Sequence, residues 1–135
     1  MNWSLIFKLS LFGLAMGIAT VYFIPSSVEP YCWLAIFIFS AYVIVKNCSA
    51  NYFLHGFLVS LVNCVWIIAA HVLLFHAYAS THQQEMANMA KMPGTMGQHP
   101  RRMMVLVGPI VGVVSGLVLG LFSFIASKIV KKPQV

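Results

Sequence analysis

Four glycines at strict four-residue spacing, Gly108, Gly112, Gly116 and Gly120, lie in an uncharged apolar stretch from Met103 to Ala126. Four residues are about 400° of helix, so the glycines line one slowly turning stripe. A stripe without side chains lets another helix backbone come close. In lipid, hydrophobicity cannot drive helices together, so packing and interhelical hydrogen bonds must. The segment therefore predicts a membrane helix built to touch another helix.

Composition agrees. Apolar residues are 61% of the 135, charged residues 7%, and mean hydropathy is +0.90. A soluble domain carries about 25% charged residues, so too few are present here to cover a water-facing surface. Length fits one domain. Apolar run length predicts four spans, at residues 5–24, 30–46, 52–78 and 103–127, with an outer loop at 79–102. The expected fold is an all-α integral membrane four-helix bundle. The run from Leu9 to Ile24 is long for a signal-peptide core, so the first span is expected to stay uncleaved.

The positive residues set the expected topology. Lys8, Lys46, Lys128, Lys131 and Lys132 fall at one side, and Lys91, Arg101 and Arg102 at the other. That bias places both termini on the same, cytoplasmic side. The net charge of +6 comes from residues scattered at span ends, which speaks for lipid headgroups and against nucleic acid.

The only acids are Glu29 and Glu85, and there is no aspartate. A carboxylate dyad, a Ser-His-Asp triad and a calcium or magnesium cage all lack their groups. A Ser115–His71 pair is a conceivable intramembrane hydrolase. Its surroundings, Gly112-Val113-Val114-Ser115-Gly116, do not form the nucleophile elbow, and no acid orients the histidine. The chain is read as non-enzymatic. Cys32, Cys48 and Cys64 are expected as free thiols.

Polar residues of the third span stand out: Asn63, His71 and His76 are the expected intramembrane polar groups. Cys64, His71, Tyr78 and His82 fall near one line on a helical projection. His71 and His76 are five apart, so their rings diverge by about 140°. A bis-histidine haem would need facing helices, which one such chain lacks. The bland reading is interhelical hydrogen bonding.

The natural partner of the glycine stripe is the Gly13-xxx-Gly17 face of the first span, with Ser10 and Thr20 beside it. Joining the first and last helices would close the bundle. Homo-oligomerisation through the same stripe is the sharper alternative.

The loop from Thr81 to Arg102 carries Met86, Met89, Met92 and Met96 between His82 and His99. If helical to Met92, His82, Glu85, Met86, Met89 and Met92 share one face, and Pro93-Gly94 then breaks the helix. Thioether and imidazole suit Cu(I) or Ag(I), which makes His82, Met86, Met89 and Met92 candidate copper ligands. The same stripe also suits an interfacial helix lying on the bilayer.

The pairing of K-L-S-L-F-G-L-A-M-G near the start with G-P-I-V-G-V-V-S-G-L-V-L-G-L-F and a lysine tail near the end resembles uncharacterised small bacterial four-span membrane proteins. The resemblance covers the first and last spans and implies a bacterial inner membrane. It implies no activity. The expected function is an assembly or accessory subunit, or a small homo-oligomeric transport element. Soft-metal binding by the loop is the rival.

Overall fold

The structure, a computed structural model, describes residues 1–130; Lys131 and Lys132 of the lysine tail lie outside it. The described residues form α1 (Trp3–Tyr22), α2 (Glu29–Asn47), α3 (Tyr52–Leu73), α4 (Phe75–Thr81), α5 (Gln83–Ala90), a 3-10 turn at Gly94–Gln98, and α6 (Pro100–Ile129). No strand occurs among them. α1, α2, α3 and α6 are each long and apolar enough to cross a membrane.

Local chemistry sets the helix ends. The Asn2 side chain caps α1 by accepting from the Leu5 N–H at 3.1 Å, as a short polar N-cap does. Pro30 occupies the first turn of α2, where its missing N–H costs nothing. Asn51 takes a left-handed conformation, φ 56°, to turn the chain into α3. Gly94, φ 78°, does the same after Pro93. α6 has 30 residues and spans about 45 Å. That exceeds an apolar core of about 30 Å.

α3 is the centre of the molecule, and α1 and α6 both pack on it. Asn2 meets His55 and Gly13 meets Asn63, so α1 runs parallel to α3. Gly120 faces Phe53 and Gly108 faces Ile68, so α6 runs antiparallel. The expected pairing of the Gly13–Gly17 face with the stripe of α6 is therefore replaced. Each glycine face meets α3 instead. Gly13 and Gly17 sit against Asn63, Ile67 and Ala70; Gly112 sits against Cys64 and Gly116 against Phe57. The reason is that α3 offers both neighbours a close approach and a polar bond. The Gly13 N–H donates to Asn63 Oδ1 at 3.1 Å, and Cys64 Sγ donates to the Gly108 carbonyl at 2.9 Å.

α3 also brings its own glycine. A methyl at Gly56 would stand 2.6 Å from the Leu119 carbonyl oxygen. With Ser60 and Cys64 it forms a small-residue series of its own, the complement of the stripe on α6.

The core joins all four long helices through Ile6, Leu9, Phe37, Ala41, Ile44, Val59 and Leu119. From α2 it buries Phe37, Ala41 and Ile44, from the middle of the helix to its last turn, with Trp33 and Ile36 packed against it less completely. Outward faces are apolar and exposed, for example Phe7, Ile38, Ile110 and Leu117. Such a continuous apolar exterior suits hydrocarbon surroundings.

The third helix stops at Leu73, short of the expected Tyr78. No proline or glycine breaks it. Thr81 Oγ1 donates to the Val21 carbonyl at 2.7 Å and so ties α4 to the end of α1. α5 ends at Ala90, so Met92 lies in the turn beyond the helix rather than on its face.

A cleft between α2 and α6

Where α2 leaves the core, it splays from α6 and opens a cleft of about 720 Å³. Trp33, Leu34 and Phe37 of α2 form one wall. Val107, Val111 and Val118 of α6 form the other. α3 supplies the floor. The closed end is marked by the edge-to-face pair Phe37–Phe122, 6.4 Å between centroids. The open end is rimmed by Glu29, Tyr78, Met89, Met92, Met103 and Met104.

The polar groups come mainly from the floor. Ser60, Asn63, Cys64 and His71 border the cleft, and Ser115 adds a hydroxyl from α6. Asn63 is 2% exposed. Its orientation is fixed, because Oδ1 is taken by the Gly13 N–H. Its Nδ2 has no acceptor. An unpaired buried donor is costly in an apolar setting. His71 lies eight residues on, about 12 Å along the helix. Its Nε2 is 3.0 Å from Thr20 Oγ1. That hydroxyl donates to the Met16 carbonyl, so it accepts from Nε2–H and leaves the lone pair on Nδ1.

Beyond His71 the aromatic rings form a ladder. His71 lies 4.5 Å from Tyr78, and Tyr78 stacks on His82 at 4.3 Å with planes 5° apart. Of the line expected from the helical projection, His71, Tyr78 and His82 thus stack, across the break at Leu74, while Cys64 bonds to α6 instead. His82 is buried, and its Nε2 has no partner. Thr81 Oγ1 lies 2.9 Å from its Nδ1.

The candidate residues divide. Asn63 and His71 border the cleft. His76, expected with them, sits on exposed α4 outside the spanning helices. It borders a separate recess of about 390 Å³ with Phe75, His99, Arg101 and Arg102. Of the four candidate metal ligands, Met89 and Met92 reach the cleft, whereas His82 and Met86 are not part of its lining. The structure adds Met103 and Met104, which reading by helical face missed because they belong to α6. Among the described residues, no three of His, Cys, Asp and Glu stand together as a metal site. None of the three cysteines forms a disulfide.

Both acids gather at the open end. Glu29 accepts from Trp33 Nε1 at 3.1 Å. Hydrogen bonding from Ser26 holds the Glu85 carboxyl below the usual carboxylate range, and His82 adds to this. Ser26 itself borders the cleft. His55, by contrast, is a tether: its Nε2 accepts from the Asn2 N–H at 3.0 Å and its Nδ1 meets the Asn51 carbonyl at 2.8 Å.

Comparison with protein-family models, curated proteins and solved structures returns no match.

Proposed function

We propose that this chain is a non-enzymatic multi-pass membrane protein that holds a small amphipathic molecule in the cleft between α2 and α6. It acts as a binding subunit or carrier element for that molecule. The observation that carries the reading is the cleft itself, about 720 Å³ with apolar walls and a few convergent polar groups. That size and that balance are those of a small-molecule site.

A binding role fits better than catalysis. Ser115 and His71 both border the cleft. The bonded partner of His71 is the Thr20 hydroxyl, however, and not a carboxylate that would orient it as a base. The reading favours a monomer over a homo-oligomer, because the glycine faces of α1 and α6 are occupied by α3. The setting we infer is a bacterial inner membrane with both termini cytoplasmic. Lys8, Lys46, Lys128, Lys131 and Lys132 outnumber Lys91, Arg101 and Arg102 of the other side, and that excess favours the side of the termini as cytoplasmic.

The test is extraction of the purified protein with organic solvent and mass analysis of what is released. Val111 borders the cleft and is 55% exposed, so Val111→Trp should fill the space without entering the α3–α6 contact. The expected result is one organic species in stoichiometric amount from the native protein and its loss from Val111→Trp. The same lipid mixture from both proteins would overturn the reading.

A further inference from the structure

The rim of the cleft concentrates one kind of donor. Met89 and Met92 reach it from α5 and the turn after it, and Met103 and Met104 from the start of α6. Half of the eight methionines in the chain therefore border one opening. They arrive from two segments that flank the Pro93-Gly94 break, so the fold rather than one helix face assembles them.

Charge points the same way. The only two carboxylates of the chain are at this opening, Glu29 on its rim and Glu85 against Ser26. Hydrogen bonding keeps Glu85 ionised. The nearest arginine on α6 is drawn aside: the Arg101 guanidinium lies over the Phe75 ring, 5.0 Å from its centroid. Neither Arg101 nor Arg102 borders the cleft. The opening thus offers neutral sulfur donors with Glu29 on the same lining and Glu85 against Ser26. Among the described residues no three of His, Cys, Asp and Glu stand together as a metal site. Thioethers select soft monovalent ions.

From this we infer that the cleft mouth is a binding site for a soft monovalent cation, Cu(I) or Ag(I), with Met89, Met92, Met103 and Met104 as ligands and Glu29 and Glu85 supplying the compensating charge. The site differs from a ligand set drawn on one face of α5. It exchanges His82 and Met86 for two residues of α6. It does not rest on an organic occupant of the cleft, because leucine at the four positions keeps the apolar wall and removes only the sulfur.

Silver is the probe of choice, since Ag(I) needs no reductant. Methyl-resolved NMR of the full-length protein in detergent separates thioether binding from silver held by the three cysteines. The methyl signals of Met89, Met92, Met103 and Met104 should shift together and saturate, while those of Met86 and Met96 stay in place. Met→Leu is nearly volume-conserving, so the quadruple Leu variant should keep its fold and its melting temperature. Its silver affinity should fall by roughly tenfold or more. Glu29→Gln keeps an acceptor for Trp33 and should weaken silver binding severalfold. Silver shifts confined to Met86 and Met96, no methionine shift at all, or undiminished affinity in a folded quadruple variant would each overturn the site. None of these outcomes bears on whether the native protein releases an organic molecule on extraction.

Discussion

At the scale of residues, the glycines act by letting α3 lie close to both neighbours. A methyl at Gly112 would stand 2.7 Å from Cys64 Cβ, and one at Gly56 would meet the Leu119 backbone. Backbone cannot swing aside as a side chain can. Gly56→Ala should therefore cost about 1–3 kcal/mol, the usual range for overpacking. Gly112→Leu should reduce folded yield sharply. Gly94→Ala is a useful contrast, because open space surrounds Gly94 and only its positive φ resists a side chain. Thermal melts in detergent check all three, and an unchanged melting temperature for Gly56→Ala would contradict the close approach. The stripe on α6 was legible in the sequence as a packing surface, but its partner was not. The signal was present, in Gly56, Ser60 and Cys64 at four-residue spacing. It was hidden because only one of the three is glycine.

At the scale of elements, the helices that surround the core were read from run length, and the outer segment was read only in part. Helical periodicity suggested a line of Cys64, His71, Tyr78 and His82, of which the last three stack. The break at Leu74 did not, since no proline or glycine marks it; beyond the break Thr81 reaches the Val21 carbonyl of α1. α5 is held in place by contacts of the same long-range kind. The Ser26 bond lowers the Glu85 pKa from its ordinary value of 4.5. A depressed carboxyl contributes stability above the ordinary pKa and loses it as pH falls through the folded one. Docking of α5 onto the loop before α2 should therefore be intact at neutral pH and weaken below pH 4.5. Hydrogen exchange of Gln83–Ala90 at pH 3 and pH 7, corrected for intrinsic rates, measures this. Protection that does not fall at pH 3 would remove Glu85 from the account, and Glu85→Gln should abolish the pH dependence.

At the scale of the whole molecule, α3 organises everything else. α1 and α6 are packed along it, and α2 packs mainly on α6, most closely from its middle to its C-terminal end. The cleft is what remains where α2 leaves the core, so it could not be read from any single segment. Its polar floor could be, because Asn63 and His71 stand out in an apolar run. The central claim is that one copy of this chain is complete and carries a molecule between α2 and α6. Native mass spectrometry of the protein released from lipid nanodiscs tests it most directly, since one spectrum reports both subunit count and retained mass. The account predicts a single chain with one bound organic molecule, absent from Val111→Trp. A defined homo-oligomer, or a single chain with nothing bound, would contradict it.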